Sequence, residues 1–65
     1  MLTPQEQATL EALIDQHTLG DVLDALGGIC YEKADHVRSN WQDEALADTW
    51  ERVAERLDKV NAENL

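Results

Sequence analysis

The sequence predicts an all-α fold, a compact three-helix bundle. Apolar residues recur at spacings of three and four in three segments, helix-capping patterns precede these segments, and no segment alternates with the period of two that is typical of strands. We therefore expect one domain over residues 1–65, with helices at about 4–17, 19–38 and 41–60 and a frayed C-terminus.

Helix 1 has the clearest local start. Thr3 is a good N-cap, Pro4 suits the first helical position, and Glu6 completes a capping box with Thr3. Gly20, just past the apolar run, is typical of a helix terminator. The pattern therefore predicts a helix from Pro4 to about His17, with an apolar face formed by Leu10, Leu13 and Ile14 and with His17 at its end.

Helices 2 and 3 are predicted to form a long antiparallel hairpin, because a short break at Ser39-Asn40 separates them. Thr18 is the expected cap of helix 2 and Asn40 that of helix 3. We expect the shorter helix 1 to cover the apolar surface that the hairpin leaves. The centres of the two long apolar stripes should then be deeply buried, namely Leu26, Ile29, Val53 and Leu57, with Trp50 also in the core.

Two adjacent glycines, Gly27 and Gly28, interrupt the pattern of helix 2, and each costs about 1 kcal/mol relative to alanine in a helix. Three interpretations stay open. The helix ends at Leu26 and a new one starts near Ile29, or helix 1 approaches closely at the glycines, or the glycines leave a shallow notch for another chain with Tyr31 at its edge.

Trp41 lies off the apolar seam of helix 3. One interpretation places it over the end of the core beneath helix 1. The other leaves it exposed, where a tryptophan is a typical anchor of a protein interface.

The charge is strongly acidic, with 14 acids against five bases and a net charge of −9. Residues 1–31 hold five of the acids and no lysine or arginine. Such a charge disfavours nucleic acids and anionic membranes and favours a basic partner, although it also serves to keep a small protein soluble. The first six residues lack the pattern of a signal peptide and no apolar run approaches the ~20 residues of a membrane span, so we expect a cytoplasmic protein.

No residue pattern predicts catalysis, a metal site or a cofactor. Cys30 falls on the apolar stripe of helix 2, where a cysteine behaves as a small hydrophobe. Glu32 and His36 are four residues apart, whereas the di-iron bundle motif uses a spacing of three and repeats it on another helix. The three glycines match no phosphate-binding fingerprint, and helix 2 is too acidic for a DNA-recognition helix.

The function predicted by elimination is a non-enzymatic protein-interaction module, either an adaptor or a self-associating domain that forms a homodimer. A core of this size rarely supplies more than ~3–5 kcal/mol, so association is a natural source of further stability. The alternative is an acidic inhibitor, such as those that viruses encode, which occupies the basic groove of a nucleic-acid-binding protein. The predicted protein-binding residues are Gly27, Gly28, Tyr31 and Trp41, with the carboxylates of Asp24 and Asp35.

Overall fold

The computed structural model describes residues 1–63, and 84% of these are helical. Three helices follow one another, α1 at Pro4–Gln16, α2 at Leu19–Asn40 and α3 at Glu44–Asn61, and the described residues contain no strand. Helices α2 and α3 form an antiparallel hairpin, and α1 packs on α2. The predicted all-α fold of three helices is confirmed.

Helix α1 begins with the predicted capping box. The Glu6 N–H donates to Thr3 Oγ1 at 3.1 Å, and the Thr3 N–H donates to Glu6 Oε1 at 2.9 Å. The hydrogen bond from the Thr3 backbone, and then the one from its side chain, lower the pKa of the Glu6 carboxyl from its ordinary value. The negative charge also suits the positive end of the helix dipole. The local sequence alone therefore explains this start.

Helix α2 begins where expected, because Thr18 Oγ1 accepts from the Asp21 N–H at 3.0 Å. It continues to Asn40, two residues past the predicted end, and the Asn40 amide donates to the carbonyl of His36 at 3.0 Å. Trp41 caps the helix, and Gln42 follows with a φ of 53°. That left-handed conformation is a common way to end a helix.

Helix α3 starts later than predicted. Its cap is Asp43, whose Oδ1 accepts from the Leu46 N–H at 3.0 Å. The prediction that Asn40 caps this helix was wrong, since Asn40 still belongs to α2. Residues 41–43 form the turn of the hairpin.

The contact between α2 and α3 is made by small side chains. Ala34 and Val37 of α2 cluster with Ala47 of α3, and Trp50 packs against them half-buried. No side chain larger than valine is fully enclosed in the described part of the chain. The buried apolar residues are Cys30, Ala34, Val37, Ala47 and Ala54.

The predicted core was therefore wrong in its register. Leu26, Ile29 and Val53 are 39%, 47% and 37% exposed, and Leu57 is half-buried. The helices approach each other along the alanine rows, because small side chains permit a closer contact than leucine does. The large apolar side chains consequently stand on the flank of the contact.

Helix α1 also covers less than expected. Within residues 1–63 it packs on α2 and makes no contact with α3, and none of its residues is buried. The backbone extends over 38 × 28 × 15 Å, which makes the molecule thin in one direction. The prediction that the shorter helix 1 packs on the hairpin is confirmed, but α1 packs on α2 and leaves Leu46, Val53 and Val60 of α3 exposed.

Candidate interaction surfaces

The glycine pair lies within a continuous helix. Neither Gly27 nor Gly28 has a positive φ, and α2 runs through both without a break. A Cβ added at either glycine would meet no described atom within 4 Å. Two of the three interpretations were therefore wrong, because the helix does not end at Leu26 and α1 does not approach the glycines.

The glycines border an open groove between α2 and the C-terminal half of α3. We call it the glycine notch, and its volume is about 400 Å³. Tyr31, which is 50% exposed, stands on its rim. Four of the six predicted binding residues thus come together, and the full lining is Leu23, Asp24, Gly27, Gly28, Tyr31, Ala54, Asp58 and Asn61.

The other two predicted residues lie elsewhere. Trp41 caps the far end of α2, ten residues beyond Tyr31, which corresponds to about 15 Å along a helix. It is 73% exposed, so the interpretation that it covers the core was wrong and the exposed alternative remains. Asp35 lies one turn past Tyr31, where its carboxylate is 3.9 Å from the Arg38 guanidinium.

Arg38 joins the two helices of the hairpin on the notch side. Its Nε lies 3.0 Å from Glu44 Oε2, and its Nη2 lies 2.8 Å from Glu51 Oε1 and 3.5 Å from Asp48 Oδ1. The hydrogen bonds to Glu44 and Glu51 are the largest causes that raise the pKa of this arginine. With Asp35, one guanidinium thus neutralises part of a face that carries four carboxylates.

The opposite flank of the hairpin is apolar. Arg38 of α2 and Glu51 of α3 pair on the side of the hairpin that carries the notch. Helical spacing therefore places residues on the opposite edge of the α2–α3 contact on the side that faces away from the notch. Lys33 lies on the same flank, where its amine reaches solvent from an apolar stem. We call this surface the apolar face, and its large side chains are Leu26, Ile29, Leu46, Val53 and Val60, all exposed.

A second apolar surface adjoins this face at Leu26 and Ile29. It is a groove of about 420 Å³ between α1 and α2, and Leu10 and Leu13 form its α1 wall. These two leucines are 37% and 40% exposed. The groove and the apolar face share Leu26 and Ile29, so the two surfaces meet on α2.

Sequence reasoning assigned most of this region to the core. A signal that could have indicated otherwise is the row of small residues on α3, formed by Ala47 and Ala54 beside the large apolar ones, and on α2 the small residues Cys30 and Ala34, which continue the apolar stripe past Leu26. The helices meet at these small side chains and not at the centres of the stripes.

The described part of the chain contains no candidate metal site. Among residues 1–63, no three His, Cys, Asp or Glu side chains converge in a way that could hold a metal ion. Cys30 is buried, and the Nδ1 of His36 lies 3.1 Å from the Asn40 amide nitrogen. None of the helices described is sufficiently long and apolar to span a bilayer.

Comparisons with protein-family models, with curated proteins and with solved structures gave no match.

Proposed function

We propose that this chain is a small, acidic, non-enzymatic protein-interaction module that binds another protein chain through its apolar face. The observation that supports the proposal is the contrast between what is buried and what is exposed. The core of the described residues consists of three alanines, a cysteine and a valine, while the leucines, the isoleucine and two valines of the apolar region are exposed. A group of exposed large apolar side chains on one flank is typical of a binding site.

The small size of the core also supports binding through the apolar face. Full burial of one leucine or isoleucine contributes about 1.5–3 kcal/mol, so side chains that stay 37–47% exposed leave part of that stabilisation unused. A partner that covers Leu26, Ile29 and Val53 would supply that burial. Binding to the folded state would then raise the stability of the domain by mass action.

The acidic-inhibitor hypothesis is the second candidate, and the notch side of the molecule is the surface it would use. Asp24 and Asp58 line the notch, and neither carboxylate lies within 4.0 Å of a basic group among the described residues. Four neighbouring carboxylates already bind Arg38, which reduces the charge available to imitate phosphate. Affinity for a basic groove would fall steeply as salt rises, whereas an apolar contact would respond little.

Site-specific photo-crosslinking in the cell that encodes the protein tests the proposal. Ile29 and Tyr31 form a matched pair of positions, since both lie on α2 and are 47% and 50% exposed, on opposite sides of the hairpin. Each is replaced in turn by benzoylphenylalanine. We expect a defined protein adduct from position 29 and none from position 31.

The adduct is identified by mass spectrometry, and its affinity is measured with purified proteins. The proposal requires that Ile29→Gln weakens this binding at least about tenfold, which is about 1.4 kcal/mol, while Tyr31→Gln does not. An adduct from position 31 alone would assign binding to the glycine notch and contradict the apolar face. No adduct from either position would overturn the proposal.

A further inference from the structure

Building on the proposed function, we propose that the partner on the apolar face is a second copy of this chain. The twofold axis would run parallel to the hairpin, so that the outer edge of α3 in one copy opposes α1 of the other. Two independent observations support this occupant, the area that the chain leaves exposed and the distribution of its charges.

The exposed area matches one interface of ordinary size. A folded monomer of 7.3 kDa is expected to expose about 4,200 Å². This chain exposes 5223 Å², an excess of about 1,000 Å² over that expectation. A standard protein interface buries roughly 800 Å² on each partner. One face-to-face contact between two copies would therefore remove the excess.

Basic and acidic residues lie at opposite edges of this proposed contact, the basic ones on α3 and the acidic ones in residues 1–31. Three of the five basic residues, Arg52, Arg56 and Lys59, lie on the edge of α3 that points away from α2. None of them pairs with an acid within 4.0 Å among residues 1–63, where every such pair involves Arg38. Residues 1–31 hold five acids and no lysine or arginine. The basic edge of one copy therefore complements the acidic α1 of the other.

This complementarity also selects the axis. Two chains of charge −9 repel each other, so a homodimer needs opposite charges placed where the copies meet. An axis perpendicular to the hairpin would set acidic α1 against acidic α1. A dimer through the glycine notch would set Asp24 and Asp58 against their own copies. The parallel axis avoids both arrangements, and it gives a closed symmetric dimer.

Sedimentation equilibrium on the full chain tests the inference. We expect a dimer of twice 7.3 kDa that dissociates on dilution. Ile29→Gln should weaken it at least tenfold, whereas Tyr31→Gln should not. Circular dichroism of each variant verifies that the helices are intact.

Charge-swap variants then test the arrangement. Arg56→Glu and Glu11→Lys should each weaken the dimer on the order of tenfold, and an equimolar mixture of the two should recover the parent affinity. Glu11→Lys is the sharper of the two, because it replaces −1 by +1 and so changes the net charge from −9 to −7. If overall repulsion controlled association, that variant would dimerise more tightly than the parent.

Three outcomes would overturn the inference. A chain that stays monomeric at all concentrations would contradict the inference that the partner is a second copy. The crosslink from position 29 would then decide the proposed function separately. A dimer that Gly28→Arg abolishes and Ile29→Gln leaves intact assigns self-association to the notch. A dimer that neither charge variant weakens contradicts the parallel axis.

Discussion

Helix α2 packs against α3 through small side chains and against α1 through large ones, and the two contacts differ in what they enclose. At the α3 contact, Ala34 and Ala47 are fully buried, and Arg38 links the rims of both helices. At the α1 contact, Leu10 and Leu13 remain more than a third exposed, and no residue of α1 is buried. The contact made by the smaller side chains is thus the more enclosed of the two.

The difference teaches where the stability of this domain resides. The hairpin has enclosed residues and ion pairs between its helices, so we expect it to be the cooperative unit. Helix α1 has its capping box and a partly covered apolar stripe. Regions with few buried contacts open at lower free energy than the rest of a fold. We therefore expect α1 to separate from α2 before the hairpin unfolds.

The largest expected effect comes from enlarging the alanine contact. Ala47 is fully buried, so Ala47→Leu adds three carbon atoms at a position with no free space, and the helices must move apart. We expect a loss of about 1–3 kcal/mol in the free energy of unfolding. Urea denaturation followed by circular dichroism measures this loss. Ala45→Leu is the matched control, since Ala45 lies on the same helix and is exposed. Equal midpoints for the two variants would contradict the small-residue contact.

A smaller effect should follow from removal of the Arg38 charge. Arg38→Met leaves Asp35, Glu44, Asp48 and Glu51 facing one another without a cation, so the melting temperature should fall. Added sodium chloride should reduce the deficit, because salt screens repulsion between exposed charges. Arg52→Met is the control, since the contact that Arg52 makes is a 3.5 Å hydrogen bond to Thr49. If both variants melt alike at low salt, Arg38 does not link the helices.

The smallest effect should appear at the start of α1 on acidification. The folded state lowers the pKa of Glu6, so its charge stabilises α1 above the ordinary value of 4.5, and this contribution is lost as the pH falls through the lowered value. Amide exchange of the first turn of α1, compared between neutral and acidic pH, should show faster opening in acid.

Glu6→Gln supplies the control for this prediction, because glutamine also completes a capping box and does not titrate. The pH dependence of exchange in the first turn should therefore shrink in that variant. Unchanged pH dependence would assign the effect to other carboxylates. Acid-induced opening that begins in α3 rather than α1 would contradict the comparison between the two contacts.

Local patterns predicted the helices well and their ends less well. The caps at Thr3 and Thr18 need a side chain and a backbone N–H three residues later, which the chain supplies by itself. The end of α2 was harder, because Asn40 is a good cap for a following helix and here bonds backward to His36 instead. A single side chain that suits both roles leaves the boundary undetermined.

The candidate site was predicted in part. Asp24, Gly27, Gly28 and Tyr31 share the notch, because helical spacing places them on one side of α2. Trp41 and Asp35 lie outside it. The apolar face was not predicted, since apolar periodicity identifies a stripe and does not show which of its residues the neighbouring helices enclose.

The sequence by itself determined three helices and the starts of α1 and α2, and it confines every lysine and arginine to the second half of the chain. Capping, periodicity and charge can be read from the sequence because they depend on neighbouring residues. The tertiary structure alone decided which row of each helix meets the other. Both helices carry small and large apolar residues, and the contact encloses the small ones, Cys30, Ala34 and Val37 of α2 and Ala47 and Ala54 of α3. That choice depends on the distance between two helix axes, a quantity that no single helix encodes.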